Sequence, residues 1–179
     1  MDSSLLGQLL PLGVYTVVLM VLHELAHVAV ARAHGYPVVC LALSPFAVGI
    51  VFLDQPHRRY WLYQVAVPMA VTAVVSYLGL FALAPASLAT RVVLPQDALW
   101  HWGFSWLLAL LTSSGDILSM ATEMRMPVTG QDRVVRDVRF LRKTRSLIRF
   151  TPFGLRYLRS EFGLSAAEFL GGILKPQPR

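Results

Sequence analysis

The stretch Val21–Gly35, VLHELAHVAVARAHG, sets His23, Glu24 and His27 inside an apolar run with helical composition. Residues i and i+4 of a helix lie on one face, so His23 and His27 can turn both imidazoles toward one point while Glu24 sits beside them. From Leu5 to Ala31 the only formal charge is on Glu24. Ionisable side chains near the middle of a span each cost a few kcal/mol unless something binds them, so their presence points to a role. The rival reading is a packed helix with both histidines hydrogen-bonded and Glu24 protonated.

The spacing suits metal chemistry. Two neutral imidazoles leave a zinc ion room for a third protein ligand and a water, whose pKa the metal lowers from about 15.7 toward about 7. Glu24 is then placed to take the proton of that water and hand it to a leaving amine. His23-Glu24-Leu25-Ala26-His27 is the HExxH pattern of zinc peptidases, with His23 and His27 as metal ligands and Glu24 as the catalytic base.

Composition agrees with a membrane setting. Of 179 residues, 55% are hydrophobic and 15% charged, which predicts an integral membrane protein. The net charge of +6 is uneven, because twelve of the 16 Lys and Arg follow Met124. Such an excess after a span reads as a cytoplasmic, lipid-facing tail, not a nucleic-acid surface. A solvated charged helix or a docking site for a partner protein is the rival reading of that tail. One cysteine, Cys40, excludes an internal disulfide framework. The N-terminus lacks a basic n-region, so the first apolar stretch reads as a span rather than a cleavable signal.

Three spans are expected, from about Leu5 to Arg32, Trp61 to Ala84 and Ala98 to Glu123. The first should end at Gly35, and Pro68 should bend the second or free a carbonyl there. Between these two, Pro37–Asp54 reads as two short apolar strands broken by Ser44-Pro45 and Gly49, a hairpin that could hold an extended substrate or simply plug the site. Pro85–Asp97 is a short loop. The third span opens with Trp100, Trp102, Phe104 and Trp106, an aromatic cluster suited to a membrane interface, with His101 among them. Beyond it, Asp132–Phe150 mixes basic and apolar residues as one or two amphipathic helices on an anionic bilayer surface would. Ser165–Glu168 is a capping box opening a short helix that Gly171-Gly172 stops, and Lys175–Arg179 should fray.

The distribution of Lys and Arg puts the N-terminus outside and the tail inside. His23 then lies nine residues before Arg32 and Asp116 nine before Arg125, so both sit at a similar depth from the cytoplasmic face. Asp116, the one acid well inside the third span, is therefore the expected third zinc ligand. Competitors are Asp54 and His57 on the hairpin's exit, and His34, which shares a face with His27 but is about 10 Å along the helix.

These residues resemble a family. The HExxH of the first span, an apolar hairpin with Ser44-Pro45-Phe46 and an aspartate late in a third span are similar to the site-2 protease group of intramembrane zinc metallopeptidases. Ser114-Gly115-Asp116, followed by Met126-Pro127 and Asp137, is more similar still to small bacterial membrane proteins grouped with the zincin peptidases. The likeness covers about Val14 to Asp137 and implies a bacterial cytoplasmic-membrane peptidase of three spans, with zinc on His23, His27 and Asp116 and Glu24 as base. Site-2 proteases usually carry an asparagine- and proline-rich segment ahead of an Asp-Gly in the third span; here Asp116 follows Gly115 without it.

The expectation is thus an all-α membrane protein with a three-span core, residues 1–124, a β-hairpin after the first span and a basic helical tail, residues 125–179. Its predicted function is zinc-dependent cleavage of membrane-associated proteins or peptides near the cytoplasmic face. The alternative is a zinc-binding membrane scaffold or sensor without turnover. No sensor domain is evident, so regulation would come from a membrane partner or from the tail.

Overall fold

The computed structural model describes residues 3–44, 48–54, 57–83, 95–125, 128–144 and 146–173. Among them the chain runs α1 (Ser3–Ala33), β1 (Val38–Leu43), β2 (Val48–Phe52), α2 (Arg58–Leu83), α3 (Pro95–Thr112), α4 (Ser114–Arg125), α5 (Gly130–Lys143), β3 (Leu147–Phe150), α6 (Pro152–Phe162) and α7 (Ala166–Gly172). Pro45 and Phe46 of the expected turn, most of the loop at 85–97, Met126-Pro127 and Lys175–Arg179 lie outside the described residues. The chain is mostly helical, with one small sheet, and it forms two compact units: residues 1–27 with 62–121, and residues 28–61 with 122–179.

Two helices are long and apolar enough to cross a membrane, Gly13–Ala33 and Arg58–Gly79. The third expected span is not one straight helix. Leu99–Thr112 and Ser114–Arg125 meet at a bend of 52°. The cause is local: the Thr112 hydroxyl donates to the carbonyls of Leu108 and Ala109, and the Ser114 hydroxyl to that of Leu111. Hydroxyls that bond back onto helical carbonyls bend a helix, and Gly115 adds little resistance. The bend opens α4 afresh, with Asp116 in its first turn, where the helix dipole favours a carboxylate.

In the first unit, Val14, Val17, Val21 and Leu25 form one stripe of α1, each 45–58% exposed. Water disfavours such a stripe, whereas hydrocarbon does not. The other side of α1 faces α2: the Tyr15 hydroxyl donates to the Val75 carbonyl, and its ring takes the room that a side chain at Gly79 would need. Trp102 meets the rings of Tyr77 and Trp106 edge-on, at 5.3 and 5.8 Å.

The second unit takes in the last turns of α1, from Val28. Gly35 adopts φ 76°, the Gly35 amide donates to Arg32 and the Tyr36 amide to Ala31, a Schellman ending that caps the last turn. The hairpin then forms as expected, but it is part of a larger sheet. Its order is β2-β1-β3, all antiparallel, with Cys40 opposite Val51 and Phe150, and Leu43 opposite Val48 and Leu147. The tail therefore contributes a strand, and its helices cover one face of the sheet. Val134 and Val138 of α5, Leu158 of α6 and Phe169 of α7 bury against Val39, Cys40 and Val51. Burial pushes the Cys40 thiol up to about 12, so it is inert at neutral pH.

Two glycines make this packing possible. Gly49 sits within β2 rather than breaking it, because Leu141 occupies the place of its side chain, 2.7 Å from where a Cβ would stand. Gly154 meets the Val39 carbonyl so closely that a Cβ would overlap it. That approach is locked by Thr151, whose hydroxyl donates to the Val38 carbonyl at 2.6 Å and whose amide donates to Val39 at 3.0 Å. The expected capping box at Ser165 and Glu168 is present and opens α7 at Ala166.

The amphipathic stripe of α5 is thus spent on a protein core, not laid on a bilayer. Its basic side also turns inward at Arg133, which is 6% exposed and stands 3.0 Å from Asp54, 3.6 Å from Asp137 and 3.7 Å from Glu123, with its guanidinium 4.9 Å from the Trp61 ring. Arg136 pairs with Glu123 and Asp137. Burial raises the Asp54 and Asp137 carboxyls above their ordinary range, and the neighbouring guanidinium groups oppose that rise.

Removing one member of a buried ion cluster strands the others, at a typical cost of 3–5 kcal/mol. Arg133→Met should therefore lower the thermal midpoint markedly in detergent at pH 8. A carboxyl whose folded pKa is raised carries no penalty below its ordinary value and an increasing one as pH climbs to the raised value. Without Arg133 that window extends upward, so the deficit relative to wild type should shrink on going to pH 5. An equal deficit at both pH values would show that Asp54 is not left charged and unpaired.

Candidate metal centre

Every residue of this centre belongs to the first unit. His23 and His27 stand one turn apart on α1, and Asp116 comes from the first turn of α4. The His23 Nε2 and His27 Nε2 atoms are 3.2 Å apart, and Asp116 Oδ2 lies 3.2 Å from the former and 3.5 Å from the latter. Donor atoms about 2.0–2.1 Å from a tetrahedral zinc stand about 3.3 Å from one another, so these three separations match the edges of one face of such a site. Among the described residues, this trio is the group of His, Cys, Asp and Glu side chains arranged to hold an ion.

The outer nitrogens of both rings are held. His27 Nδ1 lies 2.7 Å from Gln64 Oε1, while the amide nitrogen of Gln64 donates to the His27 carbonyl at 3.3 Å. The carboxamide is thereby oriented with its oxygen toward the ring, so His27 Nδ1 carries the proton and its Nε2 lone pair faces Asp116. His23 Nδ1 lies 2.8 Å from the Thr72 hydroxyl, whose oxygen can accept a hydrogen bond in the same way. With both rings in that tautomer, two lone pairs and a carboxylate converge, an arrangement relieved by a cation or by a proton shared among them. Outer-sphere partners of this kind set the tautomer and aim of metal-binding histidines.

Glu24 is half-buried on the same helix and lies within electrostatic reach of His23, His27 and Asp116, yet it is not among the three converging groups. Its position suits a base beside a metal better than a ligand to it. Asp116, at 35% side-chain exposure against 13% and 11% for the histidines, is the open side of the trio.

The competing residues are engaged elsewhere, in the second unit. Asp54 faces Arg133. His34 Nδ1 bonds the Val30 carbonyl at 2.8 Å, and its ring stacks among Tyr36, Tyr60 and His57. His57 Nδ1 accepts the Tyr60 amide at 3.2 Å.

Gln64 and Thr72 are absent from the sequence reading, although a signal existed. Gln64, Pro68, Thr72 and Ser76 recur every four residues along an apolar helix, and the three polar members are 4%, 1% and 3% exposed. A polar file on one face of a hydrophobic helix points to a polar neighbour. Comparison with family models, with curated proteins and with solved structures returned no match for this chain.

Gln64→Ala and Thr72→Ala should each weaken zinc binding about 10–100-fold, the usual effect of losing an outer-sphere partner. A competition titration with a zinc chelator in detergent measures this, and unchanged affinity in both variants would show that the two contacts do not orient metal ligands.

Proposed function

We propose that this chain is a membrane-embedded zinc endopeptidase that cuts membrane-associated protein segments near the cytoplasmic face. One observation supports it above the others: an HExxH pair and an aspartate about ninety residues later bring three ligating atoms within 4.8 Å of one another on apolar helices. In this reading His23, His27 and Asp116 hold the ion and Glu24 is the catalytic residue. Bound zinc would supply Lewis acidity, which polarises a carbonyl and makes water acidic enough to be deprotonated near neutral pH.

The chain's own residues would do the rest. Glu24 takes the proton from the attacking water and returns it to the leaving amine, so its carboxylate cycles between ionised and neutral forms. Gln64 and Thr72 keep the imidazoles aimed inward through that cycle. The apolar surroundings limit bulk water, which strengthens every electrostatic contact within. A peptide must be locally unwound to react, because helical carbonyls are already hydrogen-bonded. The excess of Lys and Arg after Met124 supports an orientation with the C-terminus on the cytoplasmic side of a bacterial membrane.

Glu24→Gln should keep one zinc per chain while abolishing cleavage, with kcat falling at least a hundredfold. Metal content of the purified protein gives the first quantity. For the second, membrane and soluble proteomes of cells making the parent are compared with those of cells making the variant, and a fragment present only with the parent identifies the substrate. Zinc retained by both proteins with no fragment differing between them would favour a metal-stabilised scaffold. Asp116→Ala should lose the metal, and retention at full affinity would remove that residue from the ligand set.

A further inference from the structure

The helices α5, α6 and α7 cover one face of the three-stranded sheet and leave the other bare. On the bare face, Leu41 and Leu43 of β1 are flanked by Ile50 and Val48 of β2, and by Arg149 and Leu147 of β3. Leu41, Leu43 and Leu147 are 44%, 57% and 62% exposed. Five aliphatic side chains in register, with one arginine among them, form a larger apolar surface than a sheet facing water normally shows.

Two features of the molecule indicate what covers it. The first is covalent reach. Four residues join α1 to β1 and five join β2 to α2, which keeps the hairpin within about 20 Å of the ends of the two helices long and apolar enough to cross a membrane. The second is charge. Arg149 lies on the face itself, and Arg142 and Lys143 stand exposed at the end of α5, just before β3; none of the three makes an ion pair among the described residues. An aliphatic face that carries Arg149, on a strand preceded in sequence by the exposed Arg142 and Lys143, complements the acyl boundary and headgroups of an anionic leaflet.

We infer that the bare face of the sheet, built from β1, β2 and β3, lies on the bilayer and takes anionic lipid as its partner. The inference rests on the reading of α1 and α2 as membrane spans, and it moves lipid contact from the amphipathic helix to the sheet. The apolar stripe of α5 is buried at Val134 and Val138, whereas Leu41, Leu43 and Leu147 of the sheet are exposed. A tail that lends its strand to this face also binds the hairpin down, because β3 supplies Leu147 and Arg149.

Spin labels on the full-length protein test this in vesicles of phosphatidylcholine with phosphatidylglycerol, and in vesicles of phosphatidylcholine alone. Cys40 is buried and stays unlabelled, so Leu43→Cys and Leu147→Cys each give a single site. Val18→Cys, on the exposed side of α1, reports on the span by itself. With anionic vesicles, both sheet labels should be relaxed by oxygen and shielded from a water-soluble nickel complex, approaching the ratio found at Val18→Cys. Adding Arg149→Glu should return them toward water in the anionic vesicles and change little in the neutral ones.

Lipid-like values at Val18→Cys with water-like values at both sheet positions would overturn the inference and leave the span reading intact. Water-like values at all three would overturn the span reading itself. Sheet labels that are immobilised and shielded from both reagents would show that protein, not lipid, covers the face, which also overturns the proposal.

Discussion

Two imidazoles and a carboxylate that converge on apolar helices need a cation or shared protons between them. The placing of Gln64 and Thr72 follows from that constraint. The rings come from one helical turn of α1, so their spacing is set by the backbone. The carboxylate must come from elsewhere, and the bend at Ser113 delivers it by starting a new helix whose first turn carries Asp116. Gln64 and Thr72, two turns apart on α2, complete the shell by holding the outer nitrogens of both rings.

That arrangement separates roles by geometry. Groups that point inward are those able to bind an ion, whereas Glu24, adjacent in sequence, is turned by about 100° around the helix and stands to the side. A carboxylate in that position is of little use to a purely structural site, since it adds a desolvated charge with no ligand role. It is of direct use to proton transfer. The proposed chemistry therefore explains a residue that would otherwise only cost stability.

The second unit follows a different logic. Its hydrophobic core is small, and it is completed by a strand and three helices drawn from the end of the chain. Charge is handled in two ways there. Arg133 and Arg136 are folded into a cluster with Asp54, Glu123 and Asp137, where each offsets the desolvation of the others. Arg142, Lys143 and Arg149 make no ion pair among the described residues, and Arg149 lies on the exposed apolar face of the sheet. One basic segment thus divides into a structural part and a free part.

By itself the sequence determined the features that depend on short-range periodicity. The apolar helices, the placement of His23 and His27 on one face with Glu24 alongside, the hairpin after Pro37 and the capping box at Ser165 all follow from spacing within a few residues. Asp116 was legible too, because a lone acid in an apolar run needs a partner, and the structure sets it 3.2 Å from His23. Only the tertiary structure decided which distant groups meet. The pairing of β3 with β1 joins residues more than a hundred positions apart, and the periodicity of α5 reads the same whether its stripe faces lipid or a sheet. Likewise, the basic residues of Asp132–Phe150 look uniform along the chain, and burial against Asp54 and Glu123 alone distinguishes Arg133 from Arg149. Local pattern reports what a segment can bury; it does not report against what, since that depends on contacts made only after the chain has closed its longest loops.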